Sequence, residues 1–499
     1  MINRRIRWLG LVLLACFVLL FLQLNNFQVR QAKALVDNPH NQTLGPDPYE
    51  LPRGDIYSSE GAVLAMSKPT NDGFGELRVY PSATATLFAD ITGYESVAVS
   101  NSTGLELEYD QLLSQHNSPA STLGQLLTQH KTTDDITLTV SVALQEVAAA
   151  QLDGRTGAVV AIDPRTGAIL AMYGNPTFDP NLFSVHSHSA VIKNYNKLLN
   201  SPGDPLINYA TAQAKAPGST FKVVDSSAIF DHVPKLATRF FPSVQYVTLP
   251  DTAGQRLYNF SEEYCGGNLA EILMRSCDTA FALVGQSLGA ENLYHEAAAF
   301  GFDSVPPLDL PEGEVAASNF PSPTSLVSDT PGLMKSAIGQ ENVTATTLQM
   351  ALVAAGIADN GTIMTPHLLD RVIDDQGSLV KTYQPHPWRR ATSPKTAMAV
   401  RQLMVGVTGP GGTAQGVFPS SSFPPVAAKT GTAQINATGC GTYNWLIATA
   451  PAGVGETPSV AVAAIVPIPP GGSCVDTTGA QAAGPVVAAV MAKALAMQK

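Results

Sequence analysis

Ala216-Pro217-Gly218-Ser219-Thr220-Phe221-Lys222 places a serine three residues ahead of a lysine, where a proline–glycine turn runs into an apolar segment. A helix starting at this junction puts Ser219 and Lys222 on one face, the serine at the electropositive end and the lysine within reach of its hydroxyl. Serine is a weak nucleophile at its free pKa and needs a base within hydrogen-bond distance. Lys222 can be that base only if its pKa falls toward neutrality, and burial, a helix amino terminus and a second cation all push it that way. The plainer reading of the same residues is a helix-start serine followed by a solvated lysine, so the rest of the chain has to decide.

Working outward, Lys429-Thr430-Gly431-Thr432 follows the apolar Pro424-Pro425-Val426-Ala427-Ala428, which reads as the approach to a sheet strand. Lys429 is the obvious second cation. Gly431 leaves room for a substrate backbone to lie against the strand, while Thr430, Thr432 and Lys429 present two hydroxyls and a charge to a carboxylate. Between the two lysines comes Ser276-Cys277-Asp278, bounded by residues 268–275 and the apolar 279–285. On a loop joining helices, Ser276 and Asp278 point together into a cleft and Cys277 points the opposite way. The Ser276 hydroxyl could pass a proton between Lys222 and a leaving amine. Asp278 could accept a hydrogen bond from a substrate peptide N–H; its plainer role is a helix cap.

Around these elements the patterning predicts an α+β fold, an antiparallel sheet with packed helices. Ala158-Val159-Val160-Ala161-Ile162 and Ala168-Ile169-Leu170-Ala171-Met172 flank the turn Asp163-Pro164-Arg165-Thr166-Gly167, and residues 445–450 and 460–466 form a second strand pair. Residues 142–152 and 484–497 read as helices. Two hairpins at the ends of a largely helical region imply one sheet whose first and last strands meet. A smaller, elongated module precedes it, with strand-like pieces at 62–66 and 77–79 and no cluster of catalytic groups, which suits a pedestal. The expected divisions are a cytoplasmic tail 1–7, a transmembrane anchor 8–24, a linker 25–50, the pedestal 51–134 and the catalytic domain 135–499.

The net charge of -11 gives no electrostatic footprint for a phosphate backbone, so nucleic acid is not an expected partner. No Cys-x-x-Cys pair, His-Glu-x-x-His run or Asp-rich calcium loop occurs, so no metal or other cofactor is called for. Arg4, Arg5 and Arg7 precede the apolar run 8–24, broken only by Gln23. Its length just reaches the lower limit for a bilayer crossing, and the arginines predict a single-pass protein with its amino terminus in the cytoplasm and its body outside. A cleaved signal peptide, with Ala32-Lys33-Ala34 as the cleavage site, is the other reading. In an oxidising compartment Cys265, Cys277, Cys440 and Cys474 allow three pairings; Cys265–Cys277 and Cys440–Cys474 are preferred because each closes a short stretch within one module. Cys16 lies in the apolar run and is read as a filler.

Together the motifs resemble those of the class B penicillin-binding proteins, especially the actinobacterial penicillin-binding protein A branch. Ser219-Thr220-Phe221-Lys222 is similar to the family's nucleophile motif, Ser276-Cys277-Asp278 to its second and Lys429-Thr430-Gly431-Thr432-Ala433-Gln434 to its third. Arg53-Gly54-Asp55-Ile56 resembles the opening of the non-penicillin-binding module. Gly339-Gln340, followed by Thr344-Ala345-Thr346-Thr347-Leu348-Gln349-Met350, resembles the helix start beyond the second motif. One departure stands out: most relatives carry asparagine where this chain has Asp278, which has acceptors but no amide donor. The resemblance implies a peptidoglycan D,D-transpeptidase in which Ser219, activated by Lys222, attacks the penultimate D-alanine of a stem peptide and a neighbouring amine takes the acyl group. The backbone N–H groups of Ser219 and Thr432 would form the oxyanion hole, and β-lactams would acylate Ser219. Because class B members lack a glycosyltransferase module, a membrane glycan polymerase of the elongation or division type is an implied partner. The competing readings are a D,D-carboxypeptidase or serine β-lactamase and, further off, a non-catalytic muropeptide-binding scaffold or β-lactam sensor.

Overall fold

The computed structural model describes residues 2–26, 52–72, 75–99, 101–114, 116–117, 131–435, 441–469 and 477–498. Residues 8–24 fall in helix α1 (Ile2–Asn25), yet among the described residues no helix is long and apolar enough to cross a membrane. This corrects the expected transmembrane anchor, and with it the single-pass membrane localisation with a cytoplasmic amino terminus and an extracytoplasmic body. The apolar run 8–24 within α1 amounts to about 26 Å of helix at 1.5 Å per residue against about 30 Å of hydrocarbon. Residues 27–50 of the expected linker, with the Ala32-Lys33-Ala34 cleavage candidate, lie outside the described residues.

Residues Pro52–Thr70 and Glu76–Lys499 form one compact unit. Its principal strands, in chain order, are β1 (Ile56–Tyr57), β2 (Val63–Pro69), β3 (Glu76–Val79), β4 (Asp135–Leu138), β5 (Gly157–Ile162), β6 (Ile169–Asn175), β7 (Leu369–Ile373), β8 (Leu379–Thr382), β9 (Ala427–Gln434), β10 (Thr442–Ala450) and β11 (Val460–Ile468). The helices that build the site and its support are α2 (Val142–Leu152), α3 (Lys222–His232), α4 (Leu269–Met274), α5 (Asp278–Leu288), α6 (Ala290–Ala299), α7 (Thr347–Ala358), α8 (Pro394–Thr408) and α9 (Gly484–Met497).

The central sheet runs β6-β5-β11-β10-β9, antiparallel throughout. The first hairpin therefore meets the last strand, with Val160 opposite Ala463. Alternation along β5 divides its side chains between two cores. Ala158, Val160 and Ile162 join the core that contains α7, whereas Val159 and Ala161 join α2 and α9. Every residue of α7 is buried, as an apolar helix enclosed on all sides must be. Its amino terminus is set by Thr346, whose hydroxyl accepts the Gln349 N–H.

A second sheet runs β8-β7-β4-β1-β2-β3. Here β4 pairs in parallel with β1, Ile136 opposite Ile56, and antiparallel with β7, Val372 opposite Ile136. This sheet thus takes strands from both ends of a long stretch of sequence. Arg53 is the hub beside it: its guanidinium donates to Glu106 at 3.1 Å and to Asp110 at 2.7 Å, and Arg78 donates to the other Glu106 oxygen at 2.5 Å. Burial pushes the Glu106 carboxyl up, but Arg78 and Arg53 outweigh it and hold it below its usual range.

Candidate active site

Pro217 leads into a tight 3₁₀ turn, Gly218–Phe221, and α3 begins only at Lys222. Ser219 therefore sits half-buried in the turn just ahead of the helix, while Lys222 is fully buried within the first turn of α3. Packing explains the turn. A side chain on Gly431 would meet Pro217 O at 2.7 Å and Thr220 Cγ2 at 2.9 Å. The space that the missing side chain leaves is filled by the chain's own serine turn, so Gly431 has a packing reason as well. Gly218 itself stands at φ +53°, with Thr432 backbone atoms 3.0 Å from where a Cβ would lie. These two glycines lock the first motif onto the third.

Lys222 Nζ donates to Asp278 Oδ1 at 2.6 Å, to Ser276 O at 2.8 Å and to Ser276 Oγ at 3.3 Å. The Ser219 hydroxyl donates to the same Asp278 oxygen at 3.3 Å. Asp278 Oδ1 thus links serine and lysine, and the lysine is not bonded directly to the serine hydroxyl among the described hydrogen bonds. From β9, Lys429 Nζ donates to Ser276 Oγ at 2.8 Å and to its neighbour's carbonyl, Thr430 O, at 2.9 Å. The Ser276 hydroxyl accepts from both ammonium groups. Phe281 closes the floor, its ring centroid 5.3 Å from Lys222 Nζ.

Burial lowers the Lys222 pKa, while Asp278 pulls it back up. Lys429 is pushed down further, first by burial and then by the Lys222 charge. The two buried cations share one hydroxyl, and the charge on Lys222 makes the Lys429 proton easier to lose.

Ser276 adopts the left-handed region at φ +61°, a conformation costing about 1–2 kcal/mol for a residue with a Cβ. Cys277 holds it there: its N–H reaches Ile272 O at 2.9 Å, and its sulfur is bonded to Cys265, with the Cα atoms 5.3 Å apart. Cys277 is also the residue that caps α5, which leaves Asp278 in the first turn with its carboxylate free for the cleft. Cys440 and Cys474 lie outside the described residues. Cys16 is free and exposed.

The hydroxyls of the third motif are engaged. Thr430 Oγ1 pairs with Thr413 Oγ1 at 2.7 Å, and Thr432 Oγ1 accepts the Gly479 N–H at 3.2 Å. Because β9 is the edge of the central sheet, half of its backbone N–H groups face away from β10. Thr413 and Phe281 escaped the sequence reading. Thr413 follows Gly411-Gly412 in a loop whose composition marks a turn and nothing more, and Phe281 reads as an ordinary core aromatic.

Residues 157–492 match the penicillin-binding protein transpeptidase domain, and residues 53–135 the penicillin-binding protein A dimerisation domain. The peptidoglycan D,D-transpeptidase PbpA of Mycolicibacterium smegmatis is 35% identical, the alignment covering 99% of either chain; that of Mycobacterium tuberculosis is 33% identical with the same coverage. The chain is a class B penicillin-binding protein. Among solved structures, the imipenem acyl-enzyme of penicillin-binding protein A from M. tuberculosis superposes with a TM-score of 0.77 at 32% identity, covering 90% of this chain and 99% of that one. Its penicillin G acyl-enzyme gives 0.78, covering 89% and 100%. In this penicillin-binding protein the three motif segments, far apart in sequence, meet at one cluster of side chains, with Asp278 at its centre.

Proposed function

We infer that this penicillin-binding protein is a serine-type peptidoglycan D,D-transpeptidase that crosslinks stem peptides through an acyl-enzyme and is blocked by β-lactams. The observation that carries the reading is the single hydrogen-bonded cluster formed by Ser219, Lys222, Ser276, Asp278 and Lys429. Relatives held as acyl-enzymes with imipenem and penicillin G support the same chemistry.

In the proposed reaction the Ser219 hydroxyl attacks the carbonyl of the penultimate D-alanine and its proton passes to Lys222. The backbone N–H groups of Ser219 and Thr432 take the oxyanion, where loss of one donor costs about 3 kcal/mol. Ser276, accepting from both lysines, keeps its own proton free to give to the departing D-alanine nitrogen and is refilled from Lys222. Thr430, Gly431 and Thr432, with Lys429 behind them, face the terminal carboxylate, and the other Asp278 oxygen, Oδ2, accepts the donor peptide's N–H. An amine of a second stem then attacks the acyl-enzyme. The glycan strands that carry these stems would come from a separate polymerase of the elongation or division type.

Intact-mass measurement after penicillin treatment should show one adduct, and peptide mapping should place it on Ser219. With a D-alanyl-D-alanine donor and an amine acceptor, the product should be the crosslinked peptide. Label on another residue, or none, overturns the nucleophile; release of free acid alone overturns the transferase in favour of a hydrolase.

A further inference from the structure

One turn beyond Lys222 on α3, away from the cleft, lies Asp225. It is completely buried, and neither carboxylate oxygen has a hydrogen-bond partner. An ionised carboxylate in that position is costly to bury, since nothing satisfies its charge by contact. On α6, which packs against α3, Glu296 is near enough to act on it electrostatically; Glu296 is itself buried, with Oε1 unpartnered and Oε2 2.9 Å from His232 Nε2 at the far end of α3. His232 is partly exposed. Asp225, Glu296 and His232 are thus three titratable groups on two packed helices, with His232 at the surface, and the acyl-transfer chemistry uses none of them.

We propose that Asp225 is a positioning residue for Lys222: a carboxylic acid one helical turn along α3, held uncharged by its enclosure without a hydrogen-bond partner and by the Glu296 carboxylate of α6. The inference rests on Lys222 acting as the base for Ser219. On the cleft side Lys222 already meets Asp278 from α5 at 2.6 Å, with Lys429 from β9 sharing Ser276. A second anion near it would fix Lys222 as an ammonium and remove the base. An uncharged acid avoids this and still fills the space.

The surroundings agree on the direction. Burial drives the Asp225 carboxyl well above its ordinary range; Lys222 acts against that and Glu296 adds to it. Glu296 is pushed up to about 7 by burial, so above neutrality it is an anion that opposes ionisation of Asp225. His232 is raised by its bond to Glu296. The neighbouring Asp231 is occupied by the hydroxyls of Thr392 and of Thr396 on α8, so α8 brings no charge to these groups through those contacts. Asp225 should ionise only as pH rises well beyond the ordinary carboxyl range, and when it does, acylation should slow.

The test is the pH profile of Ser219 acylation by a penicillin, measured on the full-length chain. Wild type should lose rate on the alkaline side. Asp225→Asn, which keeps the shape and cannot ionise, should retain that rate and exceed wild type by about tenfold at pH 9.5, the equivalent of one pKa unit on Lys222. Glu296→Gln removes the anion that keeps Asp225 protonated, so its alkaline fall should begin at lower pH than in wild type. A merely structural role for either residue would lower the rate evenly across the range. Superimposable profiles for wild type and Asp225→Asn, or a fall in Glu296→Gln at or above the wild-type pH, overturn the proposal. If Asp225→Asn does not fold, the direction of the Glu296→Gln shift decides alone. Absence of acylation in wild type at every pH would instead defeat the assignment of Ser219 and Lys222 on which the proposal stands.

Discussion

In the pedestal, Glu106 lies between Arg53 and Arg78; in the cleft, Asp278 lies against Lys222 with Lys429 one hydroxyl away. Both clusters bury two cations around one carboxylate. They differ in what is left over. Glu106 has both oxygens occupied, Oε1 by Arg78 and the Tyr80 hydroxyl and Oε2 by Arg53, and guanidinium groups do not give up a proton. In the cleft the cations are lysines, both driven down by burial, and Asp278 uses one oxygen for two donors. A carboxylate with both oxygens held by arginines and a tyrosine is a rivet; one with an oxygen to spare beside lysines can do proton chemistry.

The sharpest way to break that contrast is to give the cleft the pedestal's cation. Lys222→Arg retains the charge but cannot accept the Ser219 proton, so acylation by penicillin should fall about a thousandfold, in the range that a general base supplies. Lys222→Ala should fall as far with the fold largely kept. Wild-type-like adduct formation in either variant, followed by mass spectrometry, would remove the lysine as base.

The converse change should cost stability and spare chemistry. Glu106→Gln takes the bonded carboxylate from the buried Arg78 guanidinium and leaves Arg53 to Asp110 and Glu95, a loss of about 3–5 kcal/mol, while acylation per folded molecule stays unchanged. Because Glu106 is held below the ordinary carboxyl range, its contribution is present above the unfolded pKa and disappears as pH falls through the folded one. Denaturant unfolding of wild type should therefore weaken more steeply on acidification than that of the variant. Lys429 acts in the same direction at higher pH: its pKa is depressed by folding, so the cost of burying its charge is relieved as pH rises toward the ordinary lysine range. Equal acid slopes would show that Glu106 is not the rivet described.

The smallest effect is expected at Asp278. Asparagine there keeps an acceptor for the substrate N–H and removes the charge that favours the ammonium form of Lys222, so Asp278→Asn should acylate as fast as wild type or a few-fold faster near neutral pH, one pKa unit on Lys222 being worth about 1.4 kcal/mol. Asp278→Ala should be slower. If asparagine is as damaging as alanine across the pH range, the negative charge itself is required and the proposed acceptor role fails.

Local signals carried far in this chain. The hairpin around Asp163–Gly167 and the helices at 142–152 and 484–497 follow from turn chemistry and from spacing of apolar residues, which depend on near neighbours alone. The second sheet was illegible for the converse reason. Its key strand β1 has two residues, and pairing Ile56 with Ile136 and then Ile136 with Val372 is a matter of tertiary fit. At the site, residue types announced the chemistry of Ser219, Lys222, Ser276 and Lys429 but not who touches whom. That Asp278 stands between serine and lysine depends on the left-handed turn at Ser276, which a serine codon does not advertise. Asp225 was passed over because an acid in an apolar helical run reads as a surface residue until its burial is seen.

The parallel pairing of β4 with β1 has a practical corollary for anyone preparing the catalytic portion alone. Starting at residue 135 would strip β1, β2 and β3 from their sheet and leave the rim of β4 with unmet N–H and C=O groups, a docking strip for the same strand of another molecule. Asp135 Oδ1, which accepts the Asp55 N–H at 2.6 Å, would lose that donor as well. A fragment intended to remain monomeric in concentrated solution should begin no later than Pro52, with the pedestal treated as the missing edge of its neighbour.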